Sequence, residues 1–292
     1  MTMIVMRPIC TVLGLLLVVP LLGACGHGPR VSSRPLVVTS FYPLQWVAER
    51  VAGRHAEVVD LTHPGQEPHD IELTVRQTAN VVDASVVLYA RGLQAAVDGA
   101  VDRETPRHVV DATAVARPVG DDPHFWLDPT RLSAVAAAFE RRLAGVDPAH
   151  APDYARRLRR LQADLTGLDR SFHRGLAHCR IHTIVVSHDA FGYLGRRYGL
   201  HVAGIDGLSP DAEPSPAHVR ALQDLIRRGH LTTVFSEELA SRDLADSIAG
   251  DLGLRSAVLD PVEGLDDATA GQDYLSLMRR NLTTLRKANR CS

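Results

Sequence analysis

The stretch PDYARRLRRLQADLTGLDRSFHRGL, Pro152 to Leu176, decides the fold. Tyr154, Leu158, Leu161, Leu165, Leu168, Phe172 and Leu176 recur every three or four residues with arginines between them, the period of one helical face. About 25 residues rising 1.5 Å each make a helix on the order of 37 Å long, as long as a domain is wide. It interrupts an otherwise regular strand–helix rhythm once, at mid-chain. Roughly two to three heptads are too few to favour a coiled-coil partner helix, so the expectation is a rigid connecting spine.

On either side of the spine the rhythm is that of an α/β protein. In the first half, strands are expected at Pro35–Ser40, Glu57–Leu61, Ser85–Tyr89 and His108–Asp111. Helices are expected at Pro43–Ala52, at Thr74–Val82, around Val97 and Val101, and after Asp128, which can cap a helix with Pro129 in its first position. Ala112–Pro123 reads as a loop. The second half offers strands at Thr183–Ser187, Thr233–Ser236 and Ser256–Leu259, and helices at Ala190–Tyr198, Pro216–Arg228 and Arg242–Leu252. Ser215 and Ser241 are the N-cap candidates of the last two. The fold class expected is therefore α/β: two similar lobes with mainly parallel sheets, 36–147 and 179–292, joined by one long rigid helix within 148–178.

Three histidines fall just beyond expected strands: His69, His124 and His188. A fourth strand runs straight into Asp260. In open parallel sheets ligands collect at the carboxyl ends of strands, and three imidazoles with one carboxylate suit tetrahedral zinc. Two lobes facing across a cleft would put His69 and His124 on one side, with His188 and Asp260 on the other. Glu237 is a second carboxylate candidate, as a ligand or as the acceptor of a ligand histidine's other N–H. His63, in the loop before His69, could assist. The remaining histidines, such as His55, His150 and His218, sit among charged or turn residues and read as solvated.

The first 24 residues read as a leader. Arg7 supplies a positive n-region, and Ile9–Leu22 is almost wholly apolar yet short for a membrane span. Residues 25–35, rich in Gly, Ser, Pro and Arg, read as a flexible tether. Beyond the leader, 31 basic residues balance 34 acidic ones, which gives no basic face for nucleic acid. Cys179 and Cys291 are the only cysteines after Cys25. In an oxidising compartment they form one disulfide or remain as two free thiols; both readings stay open.

Leu22-Gly23-Ala24-Cys25 resembles the lipobox of bacterial lipoproteins, which implies cleavage and lipidation at Cys25. The segments Pro68–Thr74, Asp122–Pro129, Ser187–Leu194, Gly207–Pro216 and Leu259–Leu265 resemble, in that order, the motifs of the zinc/manganese solute-binding proteins of ABC transporters (the metal-binding cluster A-I family). The resemblance implies His69, His124 and His188 as ligands, with Asp260 as the acidic fourth. It also implies a monomeric, exported protein, lipid-anchored at the outer face of the cytoplasmic membrane. Such a protein captures Zn2+ (Mn2+, or iron, being the alternative) and delivers it to a permease and its ATPase, with a zinc metallochaperone as a further partner. Two departures stand out: Ala112–Pro123 holds no histidine where zinc members carry a His-rich loop, and Ala90-Arg91-Gly92 replaces the family's Asn-Gly. Manganese binders of this resemblance carry Glu at the third ligand position. His188 favours zinc there, because imidazole suits zinc and oxygen suits manganese. The rivals from other classes are an exported zinc hydrolase, with Glu237 or Glu67 as base, and a lipid-anchored adhesin or structural lipoprotein.

Overall fold

The computed structural model describes residues 34–208, 214–239 and 242–292. Cys25, the leader and most of the tether lie outside the described residues, as do the cap candidate Ser241 and the middle of the Gly207–Pro216 motif.

Each lobe is built on a four-stranded, all-parallel sheet. The first consists of β1 (Leu36–Thr39), β2 (Glu57–Asp60), β3 (Val86–Tyr89) and β4 (Val109–Asp111), in the order β2-β1-β3-β4. The second consists of β5 (Thr183–Val186), β6 (His201–Gly204), β7 (Thr233–Ser236) and β8 (Arg255–Val258), in the order β6-β5-β7-β8. The repeat of one topology gives each lobe a switch point, between β1 and β3 and between β5 and β7. There the chain crosses to opposite sides and leaves a crevice at the strands' carboxyl ends.

The helices are α1 (Tyr42–Ala52), α2 (Val75–Asp83), α3 (Ala95–Glu104), α4 (Ala112–Ala116), α5 (Pro129–Val146), α6 (Ala151–Leu176), α7 (Gly192–Tyr198), α8 (Pro216–Arg228), α9 (Asp243–Asp251) and α10 (Tyr274–Ala288). Their starts follow local chemistry. Thr74 and Gln77 form a capping box at α2, Asp128 accepts from the Thr130 N–H at α5, and Ser215 accepts from the His218 N–H at α8. Three elements differ from the sequence expectation. Ala112–Ala116 forms a short helix because the Asp111 carboxylate accepts the Ala114 N–H, and Arg117 ends it in the left-handed region. Strand β6 was not expected, since His201-Val202-Ala203-Gly204 is too short to show alternation. Nor was α10, although its Asp273–Ser276 capping box and helical spacing stand in the sequence; the polar Asn281 interrupts its buried stripe.

The spine α6 runs as expected, and its apolar face does more than connect. Leu161, Leu165, Leu168 and Phe172 belong to one core that continues through α1, α5, α7 and α10 into both lobes. Two smaller cores cover the other faces of the sheets. Fully burying each such leucine or phenylalanine stabilises by about 1.5–3 kcal/mol, so the lobes are fused along α6 rather than hung from it. A disulfide between Cys179 and Cys291 ties the residue just past α6 to the chain end beyond α10, 112 residues on.

Candidate metal centre

His69 lies in a single 3-10 turn, Pro68–Asp70, where the Glu67 side chain accepts its backbone N–H at 3.3 Å. His124 precedes another such turn, Phe125–Leu127, which packs Phe125 and Trp126 into the shared core. His188 stands just past the end of β5, separated from it by Ser187, at the switch point of the second sheet. These three histidines converge with Glu263: one ligand atom of each lies within 4.8 Å of the others, the one such group among the described residues. His124 and His188 are fully buried and Glu263 nearly so.

The distances test the fit to a metal. Glu263 Oε1 lies 3.2 Å from His124 Nε2, 3.7 Å from His69 Nε2 and 3.8 Å from His188 Nε2. The Nε2 atoms of His124 and His188 are 3.3 Å apart. A tetrahedral zinc with bonds of 2.0–2.2 Å separates its donor atoms by about 3.3–3.6 Å. His69 Nε2 and Glu263 Oε1 are buried without a hydrogen-bond partner. Buried polar atoms are rarely left so, and a cation at the centre of the four would satisfy both.

Carboxylates behind the histidines set their tautomers. Asp122 Oδ1 takes the Nδ1 proton of His124 at 2.9 Å and its backbone N–H at 3.0 Å. Glu237 Oε1 does the same for His188, at 2.5 Å from Nδ1 and 3.3 Å from the backbone nitrogen. With Nδ1–H donating outward, each Nε2 lone pair faces the centre. Glu237 sits just past β7, across the switch point from His188, and also accepts the Ser187 hydroxyl. Asp122 is held in turn by Arg196 at 3.3 Å.

The electrostatics follow from burial and from the opposite charges gathered at the centre. Burial alone would lower the His124 pKa, but the carboxylates of Asp122 and Glu263 on either side of its ring outweigh that and raise it to about 9. His188 is likewise raised, its burial overcome by Glu237. Burial pushes Glu263 up, yet the histidines around it hold it well below the usual carboxylate range. Glu67 is raised to about 7 by burial and by the neighbouring charge of Glu263.

Asp260 is not part of this group, contrary to the sequence expectation. Strand β8 stops at Val258, and the chain then makes a turn in which Val262 adopts φ +59°. That turn sends the side chain of Glu263 into the centre, while the Asp260 carboxylate faces away, accepting the Val262 N–H at 2.7 Å and pairing with Arg280 at 3.0 Å. Burial raises the Asp260 pKa to about 6 against those two contacts. His63 is also apart: it is exposed, and its backbone N–H is taken by the Gln66 side chain. Glu237 serves as the partner of His188 and not as a member of the central group. Glu263 and Asp122 were missed as functional residues. Both stand inside quoted motifs, Glu263 three residues after Asp260 and Asp122 two before His124, but a one-dimensional reading cannot say which way a turn points.

A family model described as zinc-uptake complex component A, periplasmic, matches residues 37–288. The chain belongs to that family. It is 30% identical over 288 residues to the zinc-binding lipoprotein AdcA of Streptococcus pneumoniae, an overlap covering 90% of this chain and 58% of that protein. Thus the chain spans little more than half the length of AdcA. It is 28% identical to the high-affinity zinc uptake system protein ZnuA of Bacillus subtilis, over 91% of this chain and 93% of that one. Among solved structures it superposes on the Zn(II)-bound ZnuA-like domain of S. pneumoniae AdcA with a TM-score of 0.76 and 31% identity, covering 88% of this chain and 99% of that domain.

Proposed function

We propose that this chain is the extracytoplasmic zinc-binding component of an ABC importer, with His69, His124, His188 and Glu263 as the four ligands of its cargo. The observation that carries the reading is the convergence of three imidazole Nε2 atoms and one carboxylate oxygen, two of them without partners, across the join between the lobes. Family membership and the zinc-binding names of the relatives support it. Three nitrogens and one oxygen favour Zn2+ over Mn2+, which prefers oxygen. Against a zinc hydrolase, which needs an open metal position and a free base, stand Glu263 as the fourth group beside the three histidines, the engagement of Glu237 by His188, and that of Glu67 by the His69 backbone N–H.

In this reading residues 1–24 are a lipoprotein leader, Cys25 carries lipid, and 25–35 tether a monomer to the outer face of the cytoplasmic membrane. Lobes 36–147 and 179–292, joined through 148–178, present loaded zinc to a permease powered by its ATPase. A zinc metallochaperone could supply the metal. Elemental analysis of protein purified without added metal, followed by competition with a zinc chelator, tests the proposal. About one tightly held zinc per chain is expected for a four-ligand site; stoichiometric manganese, or no retained metal and no binding, overturns it.

A further inference from the structure

Asp260 is buried, adjacent to the centre, and absent from it. Its hydrogen bonds shape one turn. Its backbone N–H is accepted by Asn281 Oδ1 at 3.0 Å, and its carbonyl accepts Asn281 Nδ2 at 2.6 Å. Asn281, itself buried in α10, thus imitates a neighbouring strand just where β8 has run out. One carboxylate oxygen of Asp260 receives the Val262 N–H and the other receives Arg280, also from α10. Between them Pro261 turns its carbonyl to the indole N–H of Trp126 at 2.7 Å. Beyond Glu263, the Leu265 carbonyl accepts the Gly65 N–H at 2.6 Å, from the loop that leads to His69.

The product of these bonds is a β-branched residue, Val262, in the left-handed region, fully buried. A valine adopts that conformation only when its surroundings enforce it. If Val262 relaxed to extended backbone, the direction of residue 263 would change and its carboxylate would leave the three histidines. We propose that Asp260 is a positioning residue for metal binding. By holding the Val262 N–H it enforces the turn that presents Glu263 Oε1 to the histidines, and so sets affinity and coordination geometry without touching the metal.

This inference rests on Glu263 being a ligand, so the test separates the two. Zinc affinity by chelator competition and the visible spectrum of the Co2+-loaded protein are measured for Glu263→Ala, Asp260→Ala, Asp260→Asn and the double variant Asp260→Ala with Val262→Gly. Glu263→Ala checks the ligand assignment itself: wild-type affinity there refutes the assignment and this inference with it. With that ligand secure, Asp260→Ala is expected to weaken zinc about 10–100-fold, as loss of outer contacts to a ligand does, and to shift the Co2+ spectrum towards that of Glu263→Ala. Asp260→Asn keeps an oxygen acceptor for the Val262 N–H and is expected to keep most of the affinity. Glycine adopts positive φ without penalty, so the double variant is expected to recover most of what Asp260→Ala lost. Wild-type affinity and spectrum in Asp260→Ala overturn the proposal. So does a loss that Val262→Gly fails to restore, or an equal loss in Asp260→Asn, because then something other than the turn is responsible.

Discussion

Trp126 donates its indole N–H to the carbonyl of Pro261 across the join between the lobes, at 2.7 Å. Trp126 stands two residues after His124, and Pro261 two residues before Glu263, so one hydrogen bond fixes the spacing of two donors from different lobes. Tyr274 of α10 adds a second tie, its hydroxyl donating to the Trp126 carbonyl at 2.5 Å. With the shared core along α6, these bonds limit how far the lobes can part on this side.

Replacing Trp126 with Phe should therefore cost stability as well as binding. The Pro261 carbonyl would be left buried without its donor, a penalty of about 1–3 kcal/mol, and zinc affinity should fall as the two donors lose their spacing. Urea unfolding of metal-free protein checks the first and chelator competition the second. An unchanged unfolding midpoint would show that the bond carries no stability.

Metal choice should respond to position 188. The Nδ1–H of His188 is held by Glu237 at 2.5 Å, and Glu263 lies on its other side. In His188→Glu a carboxylate would face both carboxylates, so zinc binding should weaken, while the added oxygen shifts preference towards Mn2+. His201, exposed at the start of β6, is the control: His201→Glu should leave binding alone. Equal zinc affinity in the His188 variant and wild type would remove His188 from the ligand set.

Acidity should act in opposite directions on the empty and the loaded protein. The folded pKa of His124, about 9, lies above its ordinary 6.5. Its pairing thus stabilises the metal-free protein fully below pH 6.5, and that stability is lost as pH rises through about 9. Zinc needs the neutral imidazole, so binding expels the proton and affinity rises over the same window. The melting temperature of metal-free protein is expected to fall from pH 6.5 to 9 while zinc affinity climbs. Titration calorimetry at pH 7.5 in buffers of different ionisation enthalpy should show roughly one proton or more released per zinc; a heat independent of buffer would refute this.

Reduction should loosen the C-terminal end. The Cys179–Cys291 bond closes a long loop, and the chain-entropy model allows up to about 4.7 kcal/mol for one of this order. Mass spectrometry of alkylated, unreduced protein should find neither thiol free, and a reductant should lower the melting temperature. Two alkylated cysteines in the unreduced sample would rule the bond out.

The spine, the two α/β halves and the three histidines could be read from the chain because each depends on local signals. The heptad-like spacing of Leu161, Leu165 and Leu168 writes a helix face directly, and the histidines stand in short motifs that are equally local. Only His188 closely follows a strand, β5; His69 lies in the turn between β2 and α2, and His124 comes after α4. Strand β6 and helix α10 escaped because short or interrupted patterns carry little periodic signal, and their packing partners supply the rest.

By itself, the sequence determined the fold class, the length of the connecting helix and the three candidate imidazoles. Only the tertiary structure decided that the carboxylate among them is Glu263 and not Asp260, and that Asp122 and Glu237 stand behind His124 and His188. The reason is physical: a strand's period fixes where its residues point, but past Val258 the direction of each side chain depends on Val262 holding a positive φ. That angle is imposed by bonds from Asp260, and the turn around it is held by Asn281 and Trp126, residues distant in sequence from Val262.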